Sequence, residues 1–584
     1  MTKTRVTDNQ RTHEGWVVLL SLLLAVFYGS NAFAAKGGGV PGGFAQPRFL
    51  TPIVPPQFDL TGFIQEASLD TTSSICQASD PRLAGGTVKV NGITVVIPCN
   101  TILQMPAATL TWQELFSLAP RDIGLPVESN GIPMQTGMAQ KDTVNIPLAA
   151  TFNNSPLPSY EIHVQGNVVD GKYIAGLVFI SQQSLNLGQG TITAIDYSNG
   201  ELLIATKGGS NARVRINDPM GRYGLSHGGP GSRKELIEPG YDVRFSIDEE
   251  SPTIHSATGY PMCIPRYDPF NDADDPLCPQ ANRPRAPNCL SLPTPFPKFT
   301  MPATGQFCTS YMMPAPHGGC TSSANFTCPP DANQQAPFEV GDNIDFLGTL
   351  KIDSRGPYIS AHTIVNRVGI YTTPGIMPAY VTIEMELQGT AALPTGGIAQ
   401  EATSRIRVIG FSTDPSNLID IYAVDVDSKT GATSDRLLGA ANPSGPPVIG
   451  RFRFLPATGA FSPPPREFRV VSRTLCGDPG QPCQFSESGG TTANGIYAGQ
   501  YHAPNFEFIF AETLTLGDAV VPANLQDLAF LYCGSGPLGT PTAGAHGPVV
   551  GQLDPAPWAP PMFDPFFAGF LCPEQKSVSG LVFQ

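Results

Sequence analysis

Twelve cysteines, all lying behind an N-terminal segment of the secretory type, set the strongest limit on how this chain folds. Residues 1–14 carry Lys3, Arg5 and Arg11, residues 16–28 read WVVLLSLLLAVFY, and Ala32-Phe33-Ala34 follows. A positive start, a short apolar run and small residues at that spacing are what signal peptidase reads. An apolar run of ~13 residues covers roughly 20 Å as helix, short of the ~30 Å hydrocarbon core. The expectation is a signal peptide over 1–34, no transmembrane segment after its removal, and a secreted, extracellular chain, with the periplasm as the alternative address.

In an oxidising compartment cysteines read as staples rather than as metal or redox ligands. They are Cys76, Cys99, Cys263, Cys278, Cys289, Cys308, Cys320, Cys328, Cys476, Cys483, Cys533 and Cys572, an even set with no CxxC pair. Zinc is disfavoured by both compartment and spacing. Up to six disulfides follow, with the connectivity left open. Glycine and proline together make 120 of 584 residues (61 and 59) and charged residues only 14%, against a usual ~12% and ~25%. Few charges, many turn formers and many β-branched residues predict a β-rich protein with long loops. The net charge of −14, without any cluster of Lys and Arg, argues against nucleic acid as a partner.

The fold class expected is mainly β: tandem OB-like β-barrels plus a β-sandwich, disulfide-stapled, with long Gly/Pro-rich loops. Residues 35–60 form a Gly/Pro-rich arm. In GGTVKVNGITVVIPC two β-branched runs flank Asn91-Gly92, the strongest short hairpin signal. LTWQELFSL predicts a short helix with Thr111 and Glu114 as a capping box. The blocks YEIHVQGNVVDGKYIAGLVFI and FEVGDNIDFLGTLKIDSRGPYISAHTI contain an internal repeat, in which Gly166 and Gly171-Lys172-Tyr173-Ile174 match Gly348 and Gly356-Pro357-Tyr358-Ile359. The second copy has a turn three residues longer on this alignment. In ARVRI, Arg213 and Arg215 alternate with Val214 and Ile216. The repeat divides the chain into a first barrel at 61–187 and a second at 188–370, the latter carrying a Cys/Pro-rich insertion at 261–336. Alternating strands such as SRIRVIGF and IDIYAVDVD predict a β-sandwich over 371–475. A Cys-containing loop and an extended C-terminal region take 476–584.

Two resemblances rest on particular strings. GTI…ID…NG…LI and, later, VGDxIxFxG resemble the pattern of small OB-like barrel modules found in secreted bacterial proteins. SQQSLNLGQGTITAID, RVRINDPMGRYG, PTIHSATGYPMCIPR with DDPLCPQ, and APNFEFIFAE with LAFLYCGSGP resemble a family of large secreted proteins of fungi and bacteria, over about residues 181–540. That resemblance implies secretion and architecture and brings no catalytic residue with it.

Candidate chemistry is sparse. Asp268, Asn271, Asp272, Asp274 and Asp275 crowd YDPFNDADDP, and calcium takes six to eight oxygens from such a loop. Calcium is therefore the one cofactor with a candidate site, although the spacing is not that of an EF-hand; Asp425 with Asp427 is a weaker pair. Gly534-Ser535-Gly536-Pro537-Leu538-Gly539 fits GxGxxG but lacks the following helix that phosphate binding needs. Ser226-His227-Gly228-Gly229-Pro230 has no GxSxG elbow to serve. The histidines are scattered singly, and Trp112 and Trp558 fit a core as well as a sugar platform. Asn153 and Asn325 open glycosylation sequons. These features point to a non-catalytic extracellular or cell-surface protein with a structural or ligand-binding role, its partner a polysaccharide or another surface protein. A carbohydrate-directed binder or hydrolase is the alternative, and an adhesion or assembly component a third reading.

Overall fold

The computed structural model describes residues 57–512 except 73–83, 99–100, 107–108, 121–124, 130, 143–159, 170, 181–186, 210, 219–220, 226–241, 248–252, 272–273, 290–300, 315–327, 354, 374–376, 393–397, 400–406, 427–432, 444–449, 456–466, 474–499 and 505–507. The chain is mainly β, as its composition predicts.

The first barrel uses β1 (Gln57–Leu69), β2 (Gly86–Val90), β3 (Ile93–Ile97), β6 (Glu161–Val169) and β7 (Lys172–Ile180). β4 (Ile102–Gln104), β5 (Thr109–Thr111) and the helix α1 (Trp112–Ser117) lie between β3 and β6 in sequence. The sheet runs β3-β2-β1-β6-β7, and a parallel pairing of β3 with β7 closes it into a five-stranded barrel. Asn91 and Gly92 both adopt positive φ (50° and 81°), the backbone a two-residue hairpin with right-handed twist requires. The capping box forms in both directions: Glu114 N donates to Thr111 Oγ1 (3.1 Å) and Thr111 N to Glu114 Oε2 (2.8 Å). α1 is only 6 residues long, so packing must hold it. Trp112, Leu115 and Phe116 are buried in the barrel core beside Val88, Val95 and Ile162.

The second barrel repeats the plan with β8 (Gly188–Asp196), β9 (Glu201–Thr206), β10 (Asn211–Ile216), β15 (Asn343–Asp353) and β16 (Gly356–Asn366). Its order is β10-β9-β8-β15-β16, closed by a parallel β10–β16 pairing. β11 (Ile254–Ser256) adds to β16 in parallel. The repeat is structural as well as sequential. The last hairpin of each barrel bulges at the matching glycine, Gly166 and Gly348. A Cβ at Gly166 would lie 1.9 Å from Ile174 O, and at Gly348 2.3 Å from Ser360 O, so a side chain is sterically barred at both.

Two details of the alignment are corrected by the register. The turns are equally tight, closing at Val169↔Lys172 and Asp353↔Gly356; the extra residues lengthen the strands. Gly166 pairs with Ala175 and Gly348 with Ala361. Tyr173 therefore corresponds to Ile359, one residue past Tyr358. One step reverses the face. Tyr173 packs inward against Phe58 (ring centroids 5.1 Å), whereas Tyr358 faces outward.

The insertion leaves the second barrel after β12 (Met262–Cys263), contains β13 (Ser310–Met312), and returns at β14 (Ala336–Pro337). β12 and β14 pair side by side, and Ala336 N donates to Pro261 O (3.1 Å). Disulfides Cys263–Cys278 and Cys289–Cys308 close loops inside it. β13 pairs with β17 (Gly369–Tyr371), and Tyr311, Met313 and Ala332 of the insertion share one core with Ile204 and Val214 of the barrel.

The third unit is a two-sheet sandwich. One sheet holds β18 (Val381–Ala392), β19 (Ile398–Ala399), β20 (Arg407–Ser412) and β23 (Arg451–Phe454), with β26 (Phe508–Glu512) pairing onto β18. The other holds β21 (Ile419–Val426), β22 (Thr433–Ala441), β24 (Glu467–Ser472) and β25 (Gln500–Pro504). Val381, Val408 and Phe452 of one sheet meet Ile419, Ile421, Phe468 and Val470 of the other. β25 and β26 thus bring residues from beyond 475 into the sandwich.

Buried joints tie the three units together. A 3-10 turn at Val243–Phe245 (from the β10–β11 connection) places Phe245, fully buried, in the core of the first barrel, 4.9 Å from the Tyr160 ring. Arg244 pairs with Asp242 (2.6 Å) and donates to Leu115 O (2.5 Å) and Thr136 O (2.8 Å). Asn217, just past β10, donates to Phe245 O (2.6 Å). At the other joint the Tyr380 ring meets Tyr260 (4.9 Å) and its hydroxyl donates to Ala332 O (2.8 Å). Tyr380 N donates to Thr413 Oγ1 (2.8 Å).

Candidate functional site

The densest charged cluster among the described residues lies on the outside of the second barrel. Alternation along β10 buries Val214 and Ile216 and turns Arg213 and Arg215 outward. The register sets Arg215 opposite Glu201. The β8–β9 turn adds Asp196, and the β15–β16 turn adds Asp353 and Arg355. Arg213 donates to Glu201 (Nη2–Oε1 2.7 Å) and to both oxygens of Asp353 (2.8 and 2.7 Å). Arg215 binds Glu201 and reaches Asp353 (3.1 Å). Arg355 donates to Glu201 (2.5 Å) and Asp196 (3.3 Å). Beneath them lies the Tyr358 ring, 4.4 Å from the Arg215 guanidinium and 5.6 Å from that of Arg213.

Glu201 is enclosed, its side chain 1% exposed, whereas Arg355 keeps 39% of its side chain open. Hydrogen bonds from Arg213 hold the Asp353 carboxyl far below the usual carboxylate range, and Asp353 in turn raises the guanidinium. Three cations and three carboxylates cancel. The guanidiniums cover the Tyr358 ring, which is itself buried, so the surface that the cluster offers to solvent is polar and charged.

The described carboxylates singled out for calcium each accept hydrogen bonds from groups of the insertion itself. Asp268 accepts from Phe270 N (2.9 Å) and Asn271 Nδ2 (2.6 Å) in an exposed turn. Asp274, buried, accepts from Gln280 N (3.0 Å) and Cys328 N (2.8 Å). Asp275, also buried, accepts from the backbone and guanidinium of Arg266 and from Leu277 N (3.0 Å). The carboxylates thus organise the insertion's own loops. Asp272 and Asp427 lie outside the described residues, and Asp425 falls on β21. Among the described residues no group of three His, Cys, Asp or Glu is placed to hold a metal ion.

Other candidates resolve as structure. His163 pairs with Asp59 (2.8 Å) and stacks on Phe179. Burial pulls His255 and His362 down to about 4, leaving both neutral at physiological pH. Trp112 is a core residue whose Nε1 donates to Ser68 O (3.0 Å). None of the described cysteines is free, and Cys328 is disulfide-bonded too. Cys76, Cys99, Cys320, Cys476, Cys483, Cys533 and Cys572 lie outside the described residues, as do Ser226–Pro230, Gly534–Gly539, Trp558 and both sequons. Among the described residues no helix is long and apolar enough to cross a membrane.

Sequence reading marked the alternation of Arg213 and Arg215 but not the cluster they enter. Glu201 is 12 residues from Arg213, and Asp353 is 140. Only barrel closure brings them together. No family model, curated protein or solved structure matches the chain.

Proposed function

We propose that the protein is secreted and acts as a non-catalytic structural or ligand-binding component of the extracellular space or cell surface. The observation that carries this reading is the pair of buried joints, Asp242–Phe245 between the barrels and Tyr260–Tyr380 between the second barrel and the sandwich. They fix three β units as one framework, which suits a scaffold. Disulfides within the insertion and the N-terminal segment support export. Membership of the large secreted family rests on the strings that suggested it.

A carbohydrate-directed role is the second reading, favoured by the partly open Arg355 beside Asp196 on the polar face. The strand order of each barrel supports an OB-like reading, and such barrels bind oligosaccharides over their second and third strands and the adjoining turns. In the second barrel those are β9, β10, and the turns carrying Asp196 and Arg355. The test is incubation of the full mature chain with a panel of insoluble polysaccharides, following both its depletion from solution and the release of soluble sugar. Absence of sugar release is expected; release would overturn the non-catalytic reading. Selective depletion on one polymer, abolished by Arg355→Ala, would establish the carbohydrate-binding face.

A further inference from the structure

The insertion meets the second barrel along a polar seam. Gln280 and Arg283 come from the insertion, on and just after a 3-10 turn at Gln280–Asn282. Glu339 and Asp342 come from the turn between β14 and β15, and Asn366 ends β16. All but Gln280 are buried. Arg283 forks onto Asp342 (2.6 and 2.7 Å), whose Oδ2 also accepts from Asn366 Nδ2 (2.6 Å) and Glu339 N (2.9 Å). The Asp342 carboxylate is thus fully matched.

Glu339 differs. The residue is 3% exposed, and its carboxyl accepts a hydrogen bond from the Gln280 side chain across the seam. Among the described residues no cation lies within ion-pair distance of it, because Arg283 is committed to Asp342. The other groups that feel its charge are Arg285 and Tyr311 of the insertion and Tyr197 of the β8–β9 turn.

We propose that Glu339 is a proton-operated latch, whose neutral carboxyl closes the seam between insertion and barrel and whose ionised form loosens it. Burial raises the carboxyl from 4.5 to about 7; Asp342 adds to the rise, while Arg283, Gln280 and Arg285 oppose it. Between about 4.5 and 7 the folded state binds more protons than the unfolded state. Stability from this group is therefore greatest below that window and declines as pH rises through it. His255 and His362 titrate with the opposite sign between about 4 and 6.5, being protonated more readily when unfolded. The wild-type curve alone mixes these effects, and a difference against a variant separates them.

The experiment measures unfolding of the full mature chain and of Glu339→Gln from pH 5 to pH 8. The folding equilibrium constant of the variant relative to wild type should rise roughly tenfold or more across that range. A ratio independent of pH would overturn the proposal. Hydrogen exchange on the wild type serves if the variant fails to fold. Corrected for intrinsic rates, peptides spanning 261–289 and 336–342 should lose more protection from pH 6 to pH 8 than peptides of β21 and β24. An equal change in both would overturn the latch.

Discussion

The two barrels share strand order, parallel closure and a glycine bulge, yet differ at matching outward positions of their second and third strands. The closing pairs Val95↔Tyr173 and Val214↔Ile359 align them. On that alignment Thr87, Thr94 and Val96 of the first barrel correspond to Glu201, Arg213 and Arg215 of the second. The Thr87 hydroxyl bonds that of Ser68 (2.7 Å), whereas Glu201 gathers three guanidiniums. Closure is specified by the inward residues and the bulge glycines, which the copies keep. The outward positions are free to diverge, and there one copy has acquired a charged face.

The comparison breaks most visibly at Phe245. Phe245→Ala should cost about 3–5 kcal/mol in denaturant unfolding. Hydrogen exchange should report the loss in β1 and β6, although the residue belongs to the second barrel's connection. Loss confined to β8–β10 would mean that the first barrel completes its core alone. Next comes Glu201→Gln, which strands three arginines around a neutral amide and should cost about 3 kcal/mol. The matching Thr87→Ala should change stability by less than about 0.5 kcal/mol, and equal costs would erase the distinction between the faces. Between those two effects lie Gly166→Ala and Gly348→Ala, each expected to cost about 1–3 kcal/mol. If only one is sensitive, the shared bulge is not a common requirement.

What the sequence disclosed was local. Asn91-Gly92, the Thr111–Glu114 box and the alternation along β10 each act within a few residues, and each appears in the structure. The bulge glycines were legible because a steric demand leaves one residue type. The shared Tyr-Ile misled by one position, since letters do not record which face a strand turns inward. Nothing in the letters around Asp274 and Asp275 reveals that backbone N–H groups and Arg266 donate to them. Arg244, Phe245 and Glu339 gave no signal, for their partners lie on other elements of the fold.

The Val243–Phe245 turn bears on the order in which the protein can be made. Ribosomes deliver the chain N-terminus first, so all five strands of the first barrel exist before the residue that fills its core. The core of that barrel is thus complete only once the second barrel's first three strands have followed it out. Nascent chains arrested before and after residue 245 would measure the delay by protease resistance.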